Sequence, residues 1–264
     1  MIPVIKITKW AGFTLAIISF SAQAAKVPQH IDIKQAKIVE DVVVPLPGEV
    51  FSALNKLGPV NWKEFVRTEK GTNFSERART ALLLGNVIAD GFIAVQAQDA
   101  PAVKDIGNRV LALAKAIGVG ASITPHAKAI TEAADKRKWD NVRLELDRTQ
   151  NSVQQAMNEL QDQKLSQLVS LGGWLRGTQI LTSVVSRHFT EEGAELLHQP
   201  DLLKYFGERL TDMPEYRVPV VESIKHALVQ VRPLMDSGGK AISHEAVKKI
   251  NEITTRLDGE IVTR

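Results

Sequence analysis

The chain has 264 residues, 44% hydrophobic and 24% charged, with 33 Lys+Arg against 30 Asp+Glu and no cysteine. The missing cysteine excludes a disulfide framework, a thiol catalyst, a thiolate metal site and a Cys-x-x-Cys-His haem attachment. Stability has to come from burial, and the length suffices for one sizeable core or two smaller ones.

Residues 1–25 read as a secretory signal peptide. Lys6 and Lys9 precede an uncharged apolar run from Trp10 to Phe20, and Ser21-Ala22-Gln23-Ala24-Ala25 supplies the small residues of a cleavage site. The run is short for a membrane span, which takes about 20 apolar residues, and nothing later is expected to be long and apolar enough to cross. The expectation is cleavage after Ala24 or Ala25 and a soluble product, periplasmic or secreted. Cleavage removes two lysines and no acid, so a single excess basic residue is left. With no basic stripe to displace counterions, no nucleic-acid partner is expected. The densest basic cluster, Lys136-Arg137-Lys138, reads as a solvated turn.

Residues 26–47 are predicted to form an extended arm, because the β-branched run Val42-Val43-Val44 lies between Pro28 and Pro45. A helical bundle domain is expected over 48–235. Val50, Phe51, Leu54 and Leu57 predict a short helix stopped by Gly58-Pro59, and Trp62, Phe65 and Val66 a second begun at Asn61. From Ser75 to Gln98 the chain is apolar almost all round, as a centrally buried helix is. Asp99 caps a helix with Val103, Ile106, Val110, Leu113 and Ile117 on one face, ended by Gly118 and Gly120. Thr124-Pro125 reads as the start of a short helix through Ile130. Asp140 to about Gln163 carries a seam of Val142, Leu146, Val153 and Leu160, with Arg143, Glu145, Gln150 and Gln154 on a wet back.

Leu165 to Val185 is the second strongly apolar helix. Thr190 and Asp201 read as caps of two shorter ones, and a further helix spans Pro219 to Met235. Residues 236–264 hold a Gly238-Gly239 break and a terminal amphipathic helix begun at Ser243. The predicted fold is all-α: a multi-helix antiparallel bundle with an extended N-terminal arm and a C-terminal amphipathic helix. Leu84-Gly85 and Leu171-Gly172 open similar apolar stretches, as a duplicated hairpin would, and as would any bundle with two central helices.

Candidate functional residues are few. Asp90 and Arg176 are the charges set deepest in apolar helices and form a candidate buried ion pair. On a helical wheel Asp90 shares a stripe with Arg79 and Asn86, and Arg176 with Ser183 and Arg187, so two partly solvated faces are the easier arrangement. Glu195 and His198 have the i, i+3 spacing of a di-metal carboxylate bundle, though such a site needs two motifs and further glutamates. Gly85, Gly91, Gly172, Gly173 and Gly177 inside helices point to close backbone packing rather than a ligand cavity. Trp62, Trp139 and Trp174 read as core or helix-end anchors before a sugar platform. Ile250, Ile253, Leu257 and Ile261 form an apolar stripe that either docks on the bundle or serves as an interface.

No cofactor is implied and no catalytic motif is complete. The sequence therefore reads as an exported, non-enzymatic helical protein acting through a protein partner or a small ligand. A binding bundle with a site near Glu195 and His198 is the alternative. A hydrolase of envelope polymers, which needs a cluster of close carboxylates, is third.

Overall fold

The computed structural model describes residues 37–39, 42–45, 47–67, 75–236 and 238–263; the expected signal peptide over 1–25 and the first part of the expected arm lie outside the described residues. Among the described residues the architecture is all-α apart from one short ribbon. β1 (Lys37–Val39) pairs antiparallel with β2 (Val42–Val44), Lys37 opposite Val44. The β-branched run thus satisfies its backbone by pairing with its own chain instead of lying as a lone arm. After α1 (Pro47–Leu57), the helix expected from Asn61 shrinks to a 3₁₀ turn at Trp62–Phe65. Its rings anchor it, with Trp62 5.1 Å from Phe51 and its indole donating to Asn55 Oδ1 at 2.8 Å.

Five long helices follow: α2 (Arg77–Gln96), α3 (Ala100–Ala116), α4 (Gly120–Asp135), α5 (Trp139–Glu159) and α6 (Gln163–Arg187). Each of their four connections has three residues, the middle one in the left-handed region: Gln98 at φ 53°, Gly118 at 93°, Arg137 at 51° and Gln161 at 55°. The following N–H groups return to the carbonyls of Ala94, Ala114, Ala133 and Met157, which closes the ends of α2, α3, α4 and α5. Asp99 and Asp162 then cap α3 and α6 by accepting from the Ala102 and Leu165 amides. Four equal reversals make successive helices antiparallel, and they bring α6 back parallel to α2.

Some boundaries differ from the expected ones. α4 begins at Gly120, and Pro125 sits in its second turn, where it removes a single ladder bond while Thr124 Oγ1 donates to the Gly120 carbonyl at 2.9 Å. Gln150 and Gln154, expected on a wet back, are buried; Gln154 donates to Ser170 Oγ of α6 at 3.2 Å. By length and composition α2 could cross a membrane, with mean hydropathy 1.4, so the expectation that no later segment could is corrected; 94% of that stretch is buried in the bundle.

The second half wraps this frame with α7 (Glu191–Glu195), α8 (Pro200–Thr211), α9 (Pro219–Met235) and α10 (His244–Val262). Thr190 and Ser243 cap α7 and α10 through the Gly193 and Ala246 amides. Asp201 is no cap: α8 starts at Pro200, so the acid lies inside its first turn. α10 runs antiparallel to α6, since His244 meets the Ser186 carbonyl, Asn251 meets Ser183, and Asp258 lies toward Arg176. Ile250, Ile253, Leu257 and Ile261 are all buried, so the apolar stripe of α10 is spent inside the bundle and is not a free interface.

α2 and α6 meet at their glycines. A Cβ on Gly85 would run into the Val169 carbonyl, and one on Gly172 into the Leu82 carbonyl, so each glycine faces the residue three before the other. Backbone this close brings Cα–H groups onto carbonyl oxygens. Gly107 in α3 is the contrast, with open space where its Cβ would go. We expect Gly85→Ala to destabilise by about 1–3 kcal/mol, because neither backbone can yield without moving a helix. Gly107→Ala should stabilise by about 0.5–1 kcal/mol through the loss of unfolded-state freedom. Chemical denaturation of the two variants measures both signs.

Candidate functional site

Where α2, α6 and α10 meet, the most deeply buried charges among the described residues join one network. Asp90 is 1% exposed and Arg176 5%, and Arg176 Nε donates to Asp90 Oδ1 at 2.9 Å. The pair is therefore direct and buried, where two partly solvated faces had been the easier expectation. Arg67, beyond the 3₁₀ turn, places its Nε 3.1 and 3.0 Å from the two Asp90 oxygens and donates through Nη1 to Asp258 of α10 at 2.7 Å. Asn86 closes the ring: its oxygen accepts from Arg67 Nη2, and its amide donates to Asp258 Oδ1 at 2.7 Å. The spare donors of Arg176 go to Gln179 Oε1 and to the Phe65 carbonyl at 3.0 Å.

Two arginines face two aspartates, so the ring is neutral, and both charge and hydrogen bonds are matched. Such a network holds several elements together, and breaking one member leaves an uncompensated buried charge. Taken separately, α2 and α6 each present these stripes at the surface; packed together, they do not. Those stripes are covered by other segments: Asp90 by Arg67, and by α10 the rest, Asn86 by Asp258, Ser183 by Asn251, and Arg79 by the Glu260 carbonyl, to which it donates at 2.6 Å. A cation at those last carbonyls suits the end of a helix. Arg187 stays outside, paired with Glu64 at 2.8 Å.

The i, i+3 spacing of Glu195 and His198 does not fall on one helix. α7 stops at Glu195, and a turn carries the chain through Leu196 and Leu197 before Pro200 opens α8, so His198 is not on the helix that bears Glu195. The residue before a proline is pushed out of helical conformation, and Gln199 at φ −133° follows this rule. Among the described residues no group of three or more His, Asp or Glu side chains is placed to hold a metal ion. The tryptophans divide as anchors: Trp62 and Trp174 are buried, and Trp174 donates to Gln199 Oε1 at 2.9 Å. Lys136, Arg137 and Lys138 are exposed in the α4–α5 link.

A further constellation joins α4 to α5. His126 Nδ1 lies 3.0 Å from Glu145 Oε2, and His126 Nε2 lies 2.8 Å from Ser152 Oγ. Glu145 and Ser152 are two turns apart on α5 and so share a face, across which the His126 ring reaches from α4. Arg148 Nη1 donates to the other Glu145 oxygen at 2.5 Å. The Glu145 carboxyl is held below its usual range chiefly by the His126 hydrogen bond, which outweighs the opposing effect of burial and is reinforced by Arg148. The seven-residue spacing of Glu145 and Ser152 was visible in the sequence; the histidine could not be placed without the register of α4 against α5.

Apolar space is limited. A void of about 10 Å³ lies among Ile88, Gly91, Ile106, Ile123 and Leu146 inside the α2–α5 bundle. That is at the lower limit for one water, and its walls offer no polar partner.

Asp147 is perturbed in the opposite sense to Glu145. Burial, with a smaller effect from the charge of Glu49, raises its carboxyl from 3.8 to about 6. The folded state then holds this proton longer than the unfolded chain, so stability falls as pH rises from about 4 to about 6. The side chain is partly solvated, so we expect a discounted cost of about 1–2 kcal/mol above that window. Asp147→Asn should melt higher than the parent at pH 7, with the gap closing below pH 4; melting curves across pH test this. For the ring, Asp90→Asn and Arg176→Met should each cost about 3–5 kcal/mol, while the double variant should cost less than their sum by at least 0.5 kcal/mol. Urea denaturation of the four proteins gives that cycle. Comparison with protein-family models, with curated proteins and with solved structures found no match to this chain.

Proposed function

We propose that this is an exported helical protein that works by presenting a rigid surface to a protein partner or ligand outside the cytoplasm. The observation that carries the reading is where the polar groups go. Arg67, Asn86, Asp90, Arg176 and Asp258 satisfy one another at the centre, so these charges stiffen the frame and leave recognition to the outer faces of the helices. The export half of the reading rests on the order Lys6, Lys9, apolar run, Ala24-Ala25. The recognition half is supported by large apolar side chains left outside: Leu144 is 46% exposed on α5, Leu160 54% just after it, and Val229 74% on α9. Single exposed apolar residues are ordinary, and a partner is what would make them useful.

Two measurements on the full chain in its producing cell test the two halves. N-terminal sequencing should find a mature start at Ala25 or Lys26; a chain that keeps Trp10 overturns export. A photo-crosslinking residue at position 144, 160 or 229 should give an adduct of one defined mass from at least one position. Monomer alone at all three overturns the contact role.

A further inference from the structure

We propose that Ser152 is a nucleophile for acyl transfer from small carboxylic esters, with His126 as its general base and Glu145 as the residue that positions that base. The inference goes beyond the contact role and does not rest on it. Three side chains meet in the order such chemistry requires: a hydroxyl 2.8 Å from an imidazole nitrogen whose other nitrogen lies 3.0 Å from a carboxylate. An ionised Glu145 can only accept, so Nδ1 carries the ring proton; Nε2 of the neutral ring is then the acceptor for the Ser152 hydroxyl. Arg148 holds the second Glu145 oxygen, which keeps the carboxylate ionised and its rotamer fixed. His126 and Glu145 are 20% and 14% exposed, sheltered but within reach of a small solute.

The chemistry balances without a cofactor. The Ser152 oxygen forms a bond to the ester carbonyl carbon as its proton passes to His126 Nε2, and the carbonyl π pair moves to oxygen. Collapse of that tetrahedral species breaks the bond to the alcohol oxygen, which leaves with the proton from Nε2. A water then repeats both steps on the acyl-Ser152, giving up a proton to His126 and releasing the carboxylic acid. The amides around Ser152 are inside α5 and already paired with its carbonyls, so they form no oxyanion site. Arg148, one turn back on the same face and 55% exposed, is already paired with Glu145, so it meets the developing charge only through its field. Without amide donors the rate loses about 10²- to 10³-fold, which restricts the substrates to esters with good leaving groups.

The test uses the full folded protein, a fluorophosphonate probe and p-nitrophenyl acetate. One fluorophosphonate adduct should form and map to the peptide that contains Ser152, and Ser152→Ala should abolish it while keeping its melting temperature. His126→Gln should slow nitrophenol release by at least 100-fold, the contribution of a general base. Glu145→Gln should lower kcat with KM unchanged, and Glu145→Asp should recover part of the loss, whereas Ser186→Ala should change nothing. If the trio is only a hydrogen-bonded strut between α4 and α5, variants will melt lower and no adduct will form. An unlabelled wild type, or an adduct elsewhere, overturns the proposal; neither result bears on the crosslinks.

Discussion

The close backbone approach of α2 and α6 at Gly85 and Gly172 is the constraint on which the other elements depend. Two helices pack at a distance set by the side chains between them, and removing those side chains brings the axes together. The parallel pair then has a groove on one side, and the polar stripes of both helices face into it. α10 fills that groove with Asn251 and Asp258 toward the stripes and with Ile250, Leu257 and Ile261 toward the apolar core. A larger residue at either glycine would widen the pair and pull Arg176 away from Asp90.

The ionic ring has a different energetic role from the core around it. Burying two ion pairs costs several kcal/mol of solvation per charge, and the mutual attraction repays this only with good geometry and saturated hydrogen bonds. Here both conditions hold, with the Arg67 fork on Asp90, the Asn86 amide on Asp258 and the last Arg176 donor on the Phe65 carbonyl. Apolar contacts accept many registers, whereas this ring accepts one. It fixes the rotation of α2, α6 and α10 about their axes and pins the segment after Phe65 to the same point.

What was legible in the sequence is what depends on local spacing. The apolar stripes of α3, α5 and α10, the Asp99, Thr190 and Ser243 caps and the span of α9 follow from periodicity and terminal chemistry. The tight links after α2 and α5 were hidden because Gln98 and Gln161 occupy positions where glycine is the usual signal, whereas the α4–α5 turn showed itself in the charges of Lys136, Arg137 and Lys138. The Asp90 environment was misjudged because Arg67 and Asp258 come from opposite ends of the chain and no wheel contains them. His126 was invisible because it reaches its partners from the neighbouring helix, and the register of α4 against α5 is not written in either helix. The Glu195 and His198 spacing misled because an i, i+3 interval has meaning only while the helix continues, and Pro200 is close enough to stop it.

The ring also orders events in time. Arg67 and Asp258 are separated by 191 residues, while the links from α2 to α6 close between immediate neighbours. Local hairpins form quickly, and contacts at long sequence separation are slow because a large loop must close first. A chain delivered N-terminus first would assemble its five-helix frame with Arg67, Asp90 and Arg176 still lacking the second carboxylate. Arrival of α10 supplies it, so the step that closes the ring is electrostatic as well as apolar, and the frame keeps an unmatched arginine until α10 docks.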